Sequence, residues 1–171
     1  MELVRKIKDE ICNGEFESDV ANENYSEKRL KRLFAVNRVF KNVDFSKCEI
    51  EYCYFRNSKF IECNFTGTEI SNCNFRGAQF DGCVFKYSEW RSTYLDVGFL
   101  DTCLPSEENL ARDLTRSLRV NFAQVGNYEA VNRAASEEVK LTGRHLFNAA
   151  FSKQSYYRRK YQGIELSLIH I

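Results

Sequence analysis

The amino-acid sequence predicts a β-solenoid, in which the backbone winds into a stacked coil with four short sides. Three observations lead to this prediction. Large apolar residues recur at every fifth position from Phe40 to Leu100. The residue two positions before each of them is small or medium-sized, except Arg38 at the start, and the residues between are mostly polar. A helix requires apolar residues at a period of 3.6 and a strand at 2.0, so a period of five fits neither. A sustained period of this kind indicates an internal repeat.

The large apolar residues are the predicted core of the coil. If each five-residue side turns one large and one small side chain inward, four sides close a turn, and residues twenty apart lie above one another at about 4.8 Å. The inward position next to the axis must stay small, because a closely packed interior leaves no room for a second large ring. The predicted core residues are Phe45, Ile50, Phe55, Phe60, Phe65, Ile70, Phe75, Phe80, Phe85, Trp90, Leu95 and Leu100.

This stretch resembles the pentapeptide-repeat family, whose pattern is a small residue, any residue, a central Phe or Leu, and two further residues. The resemblance covers residues 36–103 and differs from the family in its many Cys residues, where Ala is commoner. It implies a right-handed quadrilateral β-helix, here of about three coils. The resemblance implies the fold more firmly than the function, because one fold hosts many functions.

We divide the chain into four parts. Residues 1–36 are predicted to form a helical cap and lid, with Leu3, Ile7 and Ile11 on one stripe of a helix over 2–12 and a loop over 15–27. Residues 37–103 form the repeat. Residues 105–162 form a helical hairpin on the other end of the coil, since a short solenoid depends on its capping elements. Residues 163–171 fit no preceding pattern and are either native or a cloning scar.

The hairpin begins where Pro105 stops the coil and Ser106 can cap a helix. Apolar residues then recur every three or four positions up to Gly126, and Asn127 can cap a second helix. The hairpin weakly resembles one tetratricopeptide repeat. It either packs on the coil's end or offers a groove for a partner peptide or a homodimer surface. The predicted apolar stripe of the second helix is Tyr128, Val131, Ala135, Val139, Leu146 and Ala149.

Composition and motifs argue against an enzyme or a strong nucleic-acid partner. The 25 Lys and Arg residues nearly balance the 24 Asp and Glu residues. Six of the seven Cys residues fall in the small inward column, where we interpret them as small buried hydrophobes in a reducing cytoplasm. Their spacings of five, ten and twenty do not suit zinc. No catalytic or phosphate-binding motif occurs, so we predict no catalytic residue, no metal and no cofactor.

The predicted function is a protein–protein interaction scaffold with an unknown protein partner. Tyr52, Tyr54, Tyr87 and Tyr94 lie at outward positions and are candidate contacts, because Tyr is favoured at interfaces. One alternative, taken from the family resemblance, is a DNA mimic that interacts with topoisomerase. That function needs a long, strongly acidic rod, whereas residues 38–104 carry a net charge of only −1.

A second alternative is the extramembrane domain of a membrane-anchored protein. Arg158, Arg159 and Lys160 follow several aromatic residues, a composition typical of segments beside a membrane, and equally of an ordinary helix end. No stretch in the sequence approaches the roughly 20 apolar residues that span a bilayer. We therefore expect a cytoplasmic protein, either free or at the cytoplasmic face of a membrane.

Overall fold

A computed structural model describes residues 9–151 and 158–159 of the chain. The chain winds as a four-sided coil of about four turns and ends in a helical hairpin. Two alternate sides are parallel sheets, ordered β1-β3-β5-β7-β9 and β2-β4-β6-β8. The other two sides are columns of isolated bridges. The strands are β1 (Glu10–Cys12), β2 (Val20–Ala21), β3 (Arg29–Lys31), β4 (Val39–Lys41), β5 (Glu49–Glu51), β6 (Lys59–Ile61), β7 (Glu69–Ser71), β8 (Gln79–Asp81) and β9 (Glu89–Arg91), and the helices are α1 (Phe99–Thr102), α2 (Glu108–Gln124) and α3 (Tyr128–Phe151).

The strand register places residues twenty apart above one another, as the repeat predicts. Phe40 pairs with Phe60, and Phe60 pairs with Phe80. Their rings are stacked nearly parallel, with centroids 4.9 and 5.1 Å apart. Eleven of the twelve predicted core residues are buried, and Phe80 is half-buried because the chain leaves the coil at α1 before a further β-strand covers that side.

The small inward column contributes hydrogen bonds as well as volume. The Thr68 hydroxyl donates to the carbonyl of Phe45, 2.7 Å away, and the Cys63 thiol donates to the carbonyl of Phe40 at 3.4 Å. Each of these donors lies 23 residues after its acceptor, one turn along the coil. Small side chains with a polar hydrogen therefore suit this column better than purely apolar ones, because they join adjacent turns without filling the axis.

The corners of the coil turn through left-handed backbone. The residue that ends a side has positive φ at most corners, and Asn or Gly often occupies the position, as at Asn57 (φ 56°) and Gly77 (φ 73°). Asn and Gly reach this region at low cost. Gly77 is favoured for a second reason, since an added Cβ would lie 2.1 Å from Oδ1 of Asn57 one turn below, and the Asn57 side chain would have to move.

The predicted lid over residues 15–36 is wrong, and the predicted helix is wrong where the structure describes it. Residues 10–12 are strand β1, and the chain from there to residue 36 forms coil; residues 2–8 lie outside the described residues. The reason is a missing residue at one corner. Glu10 pairs with Arg29, nineteen residues on, whereas Val20 pairs with Phe40 at the regular twenty. Ile11 therefore points inward, paired with Leu30, although it lies one position away from the five-residue spacing of the later core residues.

The hairpin is present, with differences at the start of α2 and in the exposed face of α3. Asn127 caps α3 as predicted, because its Oδ1 accepts from the N–H of Ala130 at 3.1 Å. Glu107 rather than Ser106 is the N-cap of α2, and the Ser106 hydroxyl donates to the Glu107 carboxylate instead. The predicted stripe of α3 is wrong in part. Ala130, Ala134, Leu141 and His145 are buried, whereas Tyr128, Val139 and Leu146 are exposed. A helix that packs on only one neighbour buries a narrow face, and small Ala residues allow its close approach to α2.

Helix α2 covers the last rung of the coil by replacing a missing strand. β9 is an edge strand, whose unpaired backbone groups would otherwise face solvent. The backbone N–H of Trp90 donates to the hydroxyl of Ser117, 3.0 Å away, and the N–H of Ser92 donates to Oε1 of Gln124 at 2.7 Å. Side chains of the helix thus take the place of the carbonyls that a further turn would supply.

Asn121 is the central residue of this cap. Its Oδ1 accepts from the N–H of Thr93 at 2.7 Å, and its Nδ2 donates to the carbonyl of Thr93 at 2.8 Å. Both residues are fully buried. The amide therefore pairs with both backbone groups of one residue, as a neighbouring strand would.

We predict that Asn121→Ala destabilises the protein by about 2–5 kcal/mol, because it leaves two buried backbone groups without partners. Gln124→Ala is the matched control and should cost less than about 1 kcal/mol, since Ser92 is exposed and water can replace the lost partner. Urea denaturation measures both, and hydrogen exchange at the Thr93 amide locates the effect. Equal losses in the two variants would show that the amide does not carry the cap.

We also predict that one thiol of the native protein reacts rapidly with iodoacetamide at pH 8. Cys12 is exposed, five other Cys residues are buried, and Cys83 is half-buried. Burial raises the pKa of Cys103 to about 11, and the hydrogen bond with Cys63 together with partial burial raises the pKa of Cys83. These thiols stay protonated at pH 8 and are poor nucleophiles.

Mass spectrometry of the alkylated protein counts the labelled residues. Cys12→Ser should abolish the rapid phase, and all seven Cys residues should react in guanidinium chloride. Rapid labelling of a second Cys in the native protein would show that the inward column is more open than described.

Candidate functional site

One bridge side of the coil gathers three of the four tyrosines that the sequence predicts as contacts. Its column of outward residues is Phe34, Tyr54, Asn74 and Tyr94, joined by parallel bridges. The residues two positions further along the chain form a second outward column, which contains Val36, Arg56 and Arg76. The corner residues two positions before the first column form a third, which contains Arg32 and Tyr52. We call the set the aromatic–arginine face, and it consists of Arg32, Phe34, Val36, Tyr52, Tyr54, Arg56, Arg76 and Tyr94.

The backbone of the coil fixes these side chains in place. The N–H of Ala35 donates to the carbonyl of Tyr54 at 2.9 Å, and the N–H of Tyr54 donates to the carbonyl of Leu33 at 2.8 Å. Because Leu33 and Ala35 point into the core, the residues between and beside them must point outward. Each turn therefore presents its outward residues above those of the turn below.

The aromatic side chains of the face are unusually open to solvent. The exposed fractions are 52% for Phe34, 55% for Tyr52 and 39% for Tyr94. The rings of Phe34 and Tyr54 lie with centroids 6.2 Å apart. The guanidinium of Arg76 lies over the ring of Tyr94, 4.1 Å from its centroid. Rings and guanidinium groups therefore recur along the same side of the coil, from one turn to the next.

Tyr52 holds its side chain at a corner, in backbone that bulky residues seldom adopt. Its φ is 56°, the same value as at Asn57 on the next corner of the coil. Asn or Gly would adopt this conformation with less strain, yet other corners of the coil also hold larger residues, as at Lys47 (φ 56°) and Tyr87 (φ 60°). The corner thus directs the Tyr52 side chain outward.

The arginines of the face differ from the cations of the adjoining sheet side. On that sheet side Arg29 pairs with Glu49 at 2.7 Å, and Arg91 pairs with Glu89 at the same distance. On the aromatic–arginine face, by contrast, Arg32 donates to the amide oxygen of Asn13 at 3.3 Å. Within the part of the chain that the structure describes, no carboxylate pairs with any of the three arginines of the face.

The structure separates the other predicted contacts from this face. Tyr87 is 70% exposed and lies at a different corner, beside a groove of 570 Å³ between the last coil turn and α2. Arg158 and Arg159 are exposed, and Lys160 lies outside the described residues. The groove has Trp90 and Leu114 among its lining residues, and Glu89, Arg91, Asp113 and Arg116 add balanced charge to it.

Five residues of the face are not among the contacts predicted from the sequence, namely Arg32, Phe34, Val36, Arg56 and Arg76. The first three lie in the predicted cap and lid over residues 1–36, and the two later arginines lie at polar positions between the core columns. A signal was present: the outward positions also form twenty-residue columns, with Arg56 and Arg76 in one and Phe34, Tyr54 and Tyr94 in another.

Other kinds of site have little support in the described residues. Within residues 9–151 and 158–159, no group of three or more His, Cys, Asp or Glu side chains is placed to hold a metal ion. The same residues contain no helix with the length and apolarity that a membrane crossing requires. The perturbed pKa values belong mostly to the Cys residues of the core, where burial raises the pKa of the Cys73 thiol.

Comparison with known proteins agrees with the repeat. Residues 20–103 match the family model described as pentapeptide repeat region. Two solved structures of trypsin-treated QnrB1, a plasmid-mediated fluoroquinolone resistance protein, are similar over part of the chain. The first has 18% identity over 49% of this chain and 56% of that chain, with a TM-score of 0.29. The second has 10% identity over 52% and 73%, with a TM-score of 0.19.

No curated protein sequence matches the chain. The family match begins at Val20, sixteen residues before the stretch in which the repeat is evident from the sequence. This earlier start agrees with the coil that the structure describes from Glu10 onward. The coil over residues 20–103 therefore belongs to the pentapeptide-repeat family.

Proposed function

We propose that the protein is a non-enzymatic scaffold that binds a protein partner through the aromatic–arginine face. The observation that carries this proposal is the exposure of Phe34, Tyr52 and Tyr94 on one side of a rigid column, together with three arginines that have no carboxylate partner among the described residues. Aromatic residues and Arg are enriched at protein interfaces and supply most of their binding energy.

The architecture supports recognition better than chemistry. The interior is filled by stacked rings, as where Phe65 lies 5.0 Å from Phe45 and 4.9 Å from Phe85. A filled coil leaves no interior cavity in which a catalytic group could be desolvated. Its outer surface is held rigidly by the ladder between turns, which lowers the entropic cost of binding.

The hairpin is a second candidate surface, for a partner or for a second copy of the chain. Val139, Phe147 and Phe151 are exposed on α3, with exposed fractions of 72%, 63% and 71%. These residues are spaced at eight and four positions, so they lie along one stripe of the helix. A homodimer through this stripe is compatible with binding at the aromatic–arginine face, because the two surfaces do not overlap.

We place the protein in the cytoplasm, where its cysteines would stay reduced. All seven Cys residues are free thiols in the structure, which suits a reducing compartment. The alternative of a membrane-proximal segment stays a prediction, because most of residues 152–171 lie outside the described residues.

The proposed function predicts that Phe34→Ala together with Tyr52→Ala reduces partner binding at least about ten-fold, since both rings are exposed and available to a partner. The measurement is affinity purification from the native organism with quantitative mass spectrometry, comparing wild-type and variant protein as bait. Tyr87→Ala is the matched control, because it removes an exposed Tyr from a different corner.

A partner recovered equally by the double variant would contradict the proposed site. Loss of that partner with Val139→Asp and Phe147→Asp would instead assign binding to the hairpin.

The alternative of a topoisomerase-interacting DNA mimic has weaker physical support. The sheet side of β3, β5, β7 and β9 has the most acidic side chains, yet Arg29, Lys31 and Arg91 neutralise part of that charge. DNA carries two charges per 3.4 Å of length, so an imitation requires unpaired carboxylates along a rod.

We therefore expect no effect of the purified protein on the supercoiling activity of DNA gyrase at micromolar concentration. A DNA-gel assay with titrated protein tests this expectation, and Glu49→Lys with Glu69→Lys is the control variant. Dose-dependent inhibition that the control variant loses would support the alternative.

A further inference from the structure

We infer that the aromatic–arginine face binds an acidic segment of its protein partner. The inference rests on the proposed function and specifies the chemistry of the partner. It follows from the distribution of charge on the face, from the lack of a carboxylate partner for its arginines among the described residues, and from the length of the face.

The charges on this side of the coil follow a definite order. The first turn places Glu15 and Glu17 on the side, and the last turn places Asp96 there. The three turns between have three cations and no carboxylate among their outward residues. Those residues are Arg32, Phe34, Val36 and Asn37 in one turn, Tyr52, Tyr54, Arg56 and Asn57 in the next, and Asn72, Asn74, Arg76 and Gly77 in the third.

The arginines are ready to bind carboxylates from another molecule. Arg56 and Arg76 are exposed and lie one above the other in adjacent turns. The guanidinium of Arg76 lies over the ring of Tyr94, 4.1 Å from its centroid, and this cation–π contact restrains it on the face. A guanidinium can bind a carboxylate through two parallel hydrogen bonds. Several other cations of the coil already have carboxylate partners, such as Lys31 with Glu51 at 3.5 Å. At this face, by contrast, exposed arginines lie beside exposed aromatic rings, so a partner's carboxylates and apolar groups can bind side by side.

The size of the face suits a short segment of polypeptide. The five stacked rungs of this side are separated by four intervals of about 4.8 Å, which gives a length of about 19 Å, and about six residues of extended chain would cover it. Aromatic rings between the arginines can pack against the aliphatic parts of such a segment. Carboxylates near its centre would meet Arg56 and Arg76, and a neutral or basic end would suit Glu15 or Asp96.

A nucleic acid fits the same face less well. A uniformly anionic strand would meet repulsion from the carboxylates at both ends of the face, and three arginines neutralise few phosphates. Because the chain carries a net charge of only +1, it has no long-range attraction for a polyanion.

Selection from a phage-displayed library of random 12-residue peptides, with the full chain as bait, tests the inference. We expect the selected peptides to be enriched in Asp and Glu. The most frequent peptide, synthesised and titrated at low salt, should bind R56E/R76E at least about ten-fold more weakly, since like charges then face each other. K41E/K59E is the matched control, because it changes the net charge equally on the neighbouring sheet side formed by β4 and β6 and should bind within about two-fold of wild type.

R56Q/R76Q gives a second measurement, in case the charge reversal disturbs the fold. It removes the cations without adding repulsion, and we expect weaker binding than wild type with an unchanged circular-dichroism spectrum. Selection repeated with R56E/R76E should enrich Lys and Arg instead of Asp and Glu.

Several results would overturn the inference. Selected peptides without acidic enrichment that still require Phe34 and Tyr52 would leave the scaffold function standing and show that the partner class is wrong. Acidic peptides bound equally by wild type and R56E/R76E, or no selected peptide at all, would remove the face as the binding site. Tight binding of a single-stranded DNA of about 20 nucleotides, lost in R56E/R76E, would assign the face to a polyanion.

Discussion

The parallel stacking of aromatic rings, repeated once per turn, is the interaction on which this structure depends. In the column formed by Phe40, Phe60 and Phe80, neighbouring ring centroids lie 4.9 and 5.1 Å apart. This distance is close to the spacing that backbone hydrogen bonds impose between strands. Ring packing and backbone pairing therefore favour the same distance between turns. Because both are satisfied together, a backbone with only two or three residues per strand holds a regular column.

This agreement explains why the sequence predicted the coil so well and its ends less well. Large inward residues recur at every fifth position, so the repeat is visible from the spacing of apolar residues in the sequence. At the first turn the constraint relaxes: Ile11, Phe16 and Tyr25 are only half-buried, and the missing residue between Phe16 and Val20 shifts the register. A single deletion at a corner hides a turn from periodicity analysis without breaking the column.

The cap and the aromatic–arginine face were harder to predict, for a different physical reason. Asn121 looks like an ordinary polar residue in a helix, and only the position of the edge strand shows that it replaces a strand's backbone groups. The face likewise depends on which outward residues the coil brings together. Tyr52, Tyr54 and Tyr94 were correctly chosen as outward residues, yet their association with Phe34 and Arg76 required the twenty-residue register of the outer surface.

The side-chain cap has a consequence for how such a protein changes length over evolution. Ser117, Asn121 and Gln124 bond to the last rung through groups that every rung of that sheet possesses. Duplication of a twenty-residue unit inside the coil would present the same terminal edge to α2, and the cap would stay unchanged. The number of turns in the coil and the side chains of the cap can therefore change independently. A lineage could lengthen its recognition surface without altering the C-terminal cap.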